Sequence, residues 1–318
     1  MKDLTNMDIF EISEILLEGE KEILKDISGT SLSDLLDKIS KCNDDILMSI
    51  YSSEKIIKDS ALVKMGIYPY RALLSEKAVE YRRKKLGLDG NEYYNTWVTD
   101  GIIKIENFIG DVEFENLSNY LNTEKRSGIS IDFSKHKDFK NIVEMCLATN
   151  SLQHYHPSLG SEYIIHYEND DQVNLHSDIF HPNLKIWLYI NDTHAENGPY
   201  CFVYGSHKKT PEMLEFIHKN GIVWDAGPTH VDFFEYNASE TAVGSPRLLR
   251  DGNCANKNMD RLNKKLEEFK LPEVSVMSAK KNTIIFTDTT GFHARGYAEP
   301  GSIRYSLRNA FRINPFML

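Results

Sequence analysis

The spacing of apolar residues divides the chain into two textures. From Asp8 to about Leu86 they return at helical intervals, as in Ile9, Ile12, Leu16, Ile23 and Ile27, and then Leu32, Leu35, Leu36, Ile39, Ile46, Leu47 and Ile50. Three or four amphipathic helices are expected there. Thr5 with Asp8 and Ser31 with Asp34 resemble capping boxes with Asp in place of Glu, and Gly29 and Gly66 are the expected breaks. The basic run Arg82-Arg-Lys-Lys85 precedes Gly87 and reads as a solvated, positively charged helix end. After Gly90 the pattern changes: Trp97 to Ile109 alternates as an extended segment, and a helix is expected over Asp111 to Leu121.

From Ser161 onward, short runs rich in Ile, Val, Tyr and Phe alternate with turn residues: Glu162 to Tyr167, Leu184 to Ile190, Tyr200 to Tyr204, Thr283 to Thr287 and Ile303 to Phe311. That rhythm predicts a β-sandwich or barrel. It is interrupted between Lys208 and Pro272 by a long insertion, with a helix expected at Met259 to Phe269 and a Gly/Ser/Asn-rich loop at Ser239 to Asn258. The expected organisation is a helical extension over residues 1–92 and a β-rich domain over 93–318 with an insertion at 208–272.

Composition narrows the class. The 318 residues are 41% hydrophobic and 11% aromatic, enough for a full core, and the formal charge of −10 argues against a nucleic-acid partner, which needs a basic face. Cys42, Cys146, Cys201 and Cys254 are widely separated and form no CxxC pair, so neither a zinc ribbon nor a disulfide framework is expected. No run reaches the ~18 apolar residues that span a bilayer, and the acidic N-terminus does not read as a signal peptide. A cytoplasmic protein acting on a small molecule, polar or anionic, fits these features; the N-terminal helices offer a surface for self-association.

The chemistry is concentrated in two places. In Leu175-His-Ser-Asp178, residues two apart share one face of an extended chain, so His176 and Asp178 can grip one ion. Neutral imidazole and carboxylate suit iron(II), and a second histidine completing one face of the ion leaves three positions for other ligands. His-x-Asp alone is weak, since surface His and Asp are common. The second place is Thr283 to His293, a β-rich segment ending in a lone histidine, followed by turn residues Gly296, Pro300 and Gly301 and a returning strand from Ile303. A hairpin is expected to bring Arg304 beside His293. Arg304 and Ser306 share a face and can meet one carboxylate, the guanidinium as a planar fork and the hydroxyl as a donor. Arg308 lies on the same face as a second choice.

Four motifs give these residues a family context. Asp100-Gly-Ile-Ile-Lys-Ile-Glu-Asn-Phe-Ile109, His176-Ser-Asp178, Asn197-Gly-Pro199 with Gly205-Ser-His207, and the eleven-residue step from His293 to Arg304 resemble the phytanoyl-CoA dioxygenase family across roughly Trp97 to Phe311. The resemblance implies a double-stranded β-helix, a jelly-roll or cupin-like α+β fold with flanking helices. It also implies iron(II) on His176, Asp178 and His293, 2-oxoglutarate anchored through its distal carboxylate by Arg304, and dioxygen as co-substrate. Trp187 is then expected to line the co-substrate pocket. The helical N-terminus and the long insertion depart from the common pattern, so the resemblance implies a type of reaction and leaves its target open.

Other histidines, His166, His181, His194, His207, His218 and His230, read as structural, with His207 fixing the Gly-Ser-His turn and His181 near the cavity rim. Arg247 and Arg250 in the insertion read as loop charges that could meet an anionic substrate. Two other functions remain on this sequence: a non-catalytic β-sandwich that binds a small molecule or sugar, and a cupin-like metal enzyme that does not use 2-oxoglutarate.

Overall fold

The computed structural model describes residues 82–150, 158–166, 171–178, 183–217 and 259–311, together with 72, 75, 76, 79 and 80. The expected N-terminal helices up to residue 71 and their caps, His181, His218, His230, Arg247, Arg250 and the loop from Ser239 lie outside the described residues.

Two antiparallel sheets form the core. Strands β1 (Ile102–Ile105), β2 (Ser130–Asp132), β3 (Ser158–His166), β4 (Leu184–Tyr189), β7 (Ile284–Thr287) and β9 (Ser302–Phe311) make a six-stranded sheet in the order β1-β7-β4-β9-β3-β2. Strands β5 (Tyr200–Phe202), β6 (Ser275–Met277) and β8 (His293–Arg295) make a second sheet in the order β6-β5-β8. The chain passes repeatedly from one sheet to the other, and the whole is the double-stranded β-helix that the family resemblance implies, with helices α1 (Tyr94–Asp100), α2 (Asp111–Glu124), α3 (Lys137–Leu147) and α4 (Asp260–Glu267) around it.

Strand β4 shows how sequence alternation becomes two environments. Leu184, Ile186 and Leu188 point outward into an apolar core with Phe139 and Ile142 of α3, Phe114 and Leu121 of α2, and Phe286 of β7. Trp187 and Tyr189 point between the sheets and meet Tyr200, Phe202 and Ile285. Helix α3 covers the outer face because Phe139, Ile142, Val143 and Cys146 recur at its own period. The His136 ring accepts from the Phe139 N–H at 3.2 Å and starts the helix.

The other end of α3 corrects the reading of the basic run. Arg82 and Arg83 are buried, and their Nε atoms donate to the carbonyls of Ala148 at 3.1 Å and Met145 at 2.9 Å. Two guanidiniums thus satisfy carbonyls that the end of α3 leaves open, where positive charge also complements the helix dipole. Only Lys84 and Lys85 remain in solvent.

Other expectations shift as well. The extended segment starts at Ile102 and not at Trp97: residues Tyr94–Asp100 are helical, and Gly101, at φ +77°, ends α1 with its N–H on the Trp97 carbonyl. No hairpin joins β8 to β9. The first pairs with β5 and the second with β3 and β4, so the turn at 296–301 crosses between the two sheets. Within the insertion, residues 211–217 and α4 are helical and pack on the second sheet, with Phe216 and Phe269 set edge-on against Phe292 at 5.3 and 6.1 Å. Among the described residues no helix is long and apolar enough to cross a membrane.

Candidate metal centre

His176 and His293 face each other because the backbone pairs them. The His176 N–H donates to the His293 carbonyl at 3.0 Å and the His293 N–H donates to the His176 carbonyl at 2.8 Å, the pattern of directly opposed residues in an antiparallel ladder. Both side chains therefore leave the same face, with ring centroids 4.4 Å apart. Asp178, two residues on, shares that face, and its N–H is tied to the Thr289 carbonyl at 2.9 Å. The carboxylate Oδ1 lies 3.8 Å from His176 Nε2 and 3.7 Å from His293 Nε2. One ligand atom from each of the three lies within 4.8 Å of the others, and all three residues are buried.

The hydrogen bonds fix which nitrogens are free. His176 Nδ1 lies 2.6 Å from the Asn174 carbonyl and His293 Nδ1 lies 3.0 Å from the Gly291 carbonyl. A carbonyl can only accept, so each Nδ1 carries the proton and each Nε2 turns its lone pair toward Asp178, the tautomer a metal-binding histidine uses. Burial, then the neighbouring His293, brings the His176 pKa down to about 3, against the pull of Asp178. Burial likewise lowers that of His293. Burial opposes charge on Asp178 too, but Lys185, His293 and His176 outweigh it and hold the carboxyl well below the usual range. Two neutral imidazoles and one carboxylate form the donor set that suits iron(II) and leaves half the coordination sphere open.

The motifs around the triad supply its supports. Ser206 Oγ donates to the Val203 carbonyl at 2.6 Å and accepts from the Phe292 N–H at 2.7 Å, clamping the residue before His293. Gly291 permits that approach, since a Cβ there would lie 2.9 Å from Ser206 Oγ and from the Phe202 ring. His207 fixes its turn as expected: its Nε2 meets the Val98 carbonyl at 3.2 Å, and a Cβ on Gly101 would lie 2.4 Å from its Nδ1. Ser206 belongs to the Gly205-Ser-His207 motif, though the sequence assigns its hydroxyl no role, and Lys185, whose Nζ sits 2.5 Å from Asp178 Oδ2, is a site residue outside every sequence motif. A charged residue inside the apolar run Leu184-Lys-Ile-Trp-Leu-Tyr189 was the available signal for Lys185.

Arg304 is buried, and its Nη1 donates to the Gly198 carbonyl at 2.6 Å, so the Asn-Gly-Pro turn holds one arm of the guanidinium. Its Nε and the Ser306 Oγ are buried and have no hydrogen-bond partner among the described residues. Two orphaned donors on one strand face, one of them cationic, fit a carboxylate and are otherwise expensive to bury. The Trp187 ring lies 4.8 Å from that of Tyr200, which in turn lies 5.9 Å from the His293 ring. Arg308 takes a different part, with its Nε on Glu162 at 2.9 Å and half its side chain in solvent. His194 is exposed beside Glu196. Of His166 only the backbone, on β3, is described.

With this geometry established, the chain can be set beside known proteins. The family model "Phytanoyl-CoA dioxygenase" matches residues 99–232, which contain His176 and Asp178; His293 and Arg304 lie beyond the match. No curated protein matches the chain. Among solved structures, HygX from Streptomyces hygroscopicus with nickel and 2-oxoglutarate is 13% identical with a TM-score of 0.36, covering 70% of this chain and 85% of its own. The epimerase SnoN with Fe3+, alpha ketoglutarate and nogalamycin RO is 14% identical with a TM-score of 0.37, covering 72% and 88%. EctD from S. alaskensis with 2-oxoglutarate and 5-hydroxyectoine is 11% identical with a TM-score of 0.39, covering 70% and 78%. Scores this low carry no weight of their own. The family match covers less than half of the chain; it includes the segment that carries His176 and Asp178, and that part of the chain is similar to the phytanoyl-CoA dioxygenase family.

Proposed function

We propose that His176, Asp178 and His293 hold iron(II), that Arg304 with Ser306 holds the distal carboxylate of 2-oxoglutarate, and that the enzyme hydroxylates, or otherwise oxidises, a C–H bond of a small molecule. The observation that carries this reading is the convergence of two Nε2 atoms and one carboxylate oxygen, each imidazole fixed by a backbone carbonyl at its other nitrogen. Iron(II) and 2-oxoglutarate, when bound, supply the oxidising power, with dioxygen split between the substrate and succinate and CO2 released. The protein's part is to orient and to exclude water. His176 and His293 present lone pairs and no protons; Asp178 supplies the negative charge; Arg304 offers Nε and Ser306 its hydroxyl to a carboxylate. Trp187, Tyr189 and Tyr200 make the interior dry, which strengthens each of these contacts. Trp187, on the inward face of β4 against Tyr200, is placed to line the co-substrate pocket. An acidic ligand at position 178, where a small residue would admit a halide, supports oxygen transfer over halogenation.

The orphaned Arg304 Nε and Ser306 Oγ support a 2-oxoglutarate enzyme over a cupin-like metal enzyme that lacks this co-substrate, and the buried triad supports catalysis over simple binding. We further propose a cytoplasmic protein, without nucleic-acid or membrane partners, in which residues 1–92 form a helical extension on the domain of residues 93–318. The docking of Arg82 and Arg83 onto the end of α3 supports an extension seated on that domain. The test is succinate release from 2-oxoglutarate. Iron(II)-dependent turnover is expected in the parent and none above background in Asp178→Ala; equal release with and without iron(II), or in both proteins, would refute the reading.

A further inference from the structure

Lys185 has no part in the scheme above, yet it stands beside the triad. It lies on the inward face of β4, two residues before Trp187, and its cross-strand neighbours are Thr287 and Ala310. Both are short. The Thr287 hydroxyl lies 3.2 Å from that of Tyr200 in the interior, and Ala310 is exposed, so the mostly buried lysine sits at the rim where the interior meets solvent. Its Nζ is 2.5 Å from Asp178 Oδ2, an ion-pair distance, but the approach is off line for a hydrogen bond and Oδ2 accepts none. The ammonium meets the carboxylate as a charge, and among the described residues no acceptor takes its N–H groups.

Charge and place say what would take them. A divalent ion on the triad draws on the charge of Asp178, and Lys185 then stands beside a centre that is positive overall. Of the two carboxylates of 2-oxoglutarate, one belongs to Arg304 in the reading above, and the other offsets only part of what remains. The metal end keeps a net positive charge, carried on a mostly buried ammonium, which is costly without a counter-charge. A cationic substrate would be repelled there and a neutral one would leave that cost in place. An acid group would offset it, with an oxygen about 2.7–2.9 Å from Nζ in a charge-assisted hydrogen bond. Such a group would lie next to Asp178, so the C–H bond that faces the metal belongs to a carbon only a few bonds away. We propose that Lys185 binds the primary substrate through an acid group, a carboxylate or a phosphate, and that the oxidised carbon lies close to that group. The proposal rests on the metal reading of the triad.

Paramagnetic relaxation separates the two claims. The parent, Lys185→Met and Lys185→Arg are loaded with Mn(II) and with saturating 2-oxoglutarate, so that Arg304 is occupied. Each is then titrated in separate arms with carbon-labelled acetate and with inorganic phosphate. A manganese ion speeds the nuclear relaxation of an anion bound close to it. Saturable acceleration in at least one arm is expected in the parent, and the arm that responds tells carboxylate from phosphate. In Lys185→Met saturation should need about tenfold more anion, the scale of a lost hydrogen bond to a charged group. Lys185→Arg, which keeps a cationic donor, should saturate near the parent concentration. Lys185→Gln carries the same comparison should the methionine variant fail to fold. The proposal is overturned if neither anion saturates in the parent, or if Lys185→Met saturates at the parent concentration. It is equally overturned by a loss as large in Lys185→Arg as in Lys185→Met, as general loss of structure would produce. The resonance of free Mn(II) reports ion uptake by itself. A parent that takes up no Mn(II), or an Asp178→Ala variant that takes it up equally well, removes the metal reading, and this proposal with it.

Discussion

The two faces of β4 are neighbours on one strand and opposites in chemistry. Outward, Leu184, Ile186 and Leu188 join Phe139, Ile142 and Phe286 in a core of apolar side chains packed beneath α2 and α3. Inward, Lys185 meets a carboxylate, Trp187 and Tyr189 line the space between the sheets, and buried atoms of Arg304 and Ser306 on the adjoining strand lack partners. An orphaned buried polar group costs about 1–3 kcal/mol. The inner face is therefore a destabilised surface that a ligand would complete, and the outer face supplies the packing that lets the sheet tolerate it. Substitutions on the two faces should accordingly break different properties.

The largest effect is expected outside. Phe139 is fully buried, with its ring centroid 5.1 Å from Phe133 and 5.9 Å from Phe286. Phe139→Ala should destabilise by about 3–5 kcal/mol. Thermal unfolding would show it, while the folded fraction keeps the parent's Ni(II) affinity; a selective loss of metal affinity would mean that the faces are not separable. Arg304→Ala should act the other way, raising the KM for 2-oxoglutarate about a hundredfold, or about 2.7 kcal/mol, with Ni(II) affinity little changed. Arg304→Lys should recover little of it, because an ammonium cannot present the planar fork. Ser306→Ala sharpens the contrast most finely. Removing an unsatisfied hydroxyl should leave the ligand-free protein as stable as the parent or slightly more so, while the KM for 2-oxoglutarate rises a few-fold. A fall in stability with an unchanged KM would give Ser306 a purely structural part.

The same contrast explains what was legible in the sequence. Strands β3, β4, β7 and β9 stood out because each carries three or more residues of Ile, Leu, Val, Tyr and Phe. Strands β2 and β6, Ser130–Asp132 and Ser275–Met277, are three residues long and carry too little pattern to be seen. Trp97 belonged to a helix because Gly101 breaks the segment, so an apolar alternation across that glycine misled. Helix α3 had the period, in Phe139, Ile142, Val143 and Cys146, but was passed over. The candidate ligands could be named from residue type and spacing. Their arrangement could not, since the reciprocal bonds between His176 and His293 join segments far apart in the chain. For the same reason the burial of Arg82 and Arg83 on the end of α3, and the pairing of Lys185 with Asp178, were invisible: a charge in a sequence does not show what it will meet.

A crystal structure of the protein with Ni(II) and 2-oxoglutarate tests the central claim most directly. The account predicts one ion about 2.0–2.2 Å from His176 Nε2, His293 Nε2 and a single oxygen of Asp178, with the distal carboxylate of 2-oxoglutarate on Arg304 Nε and Ser306 Oγ. An ion bound elsewhere, or 2-oxoglutarate away from Arg304, would contradict it.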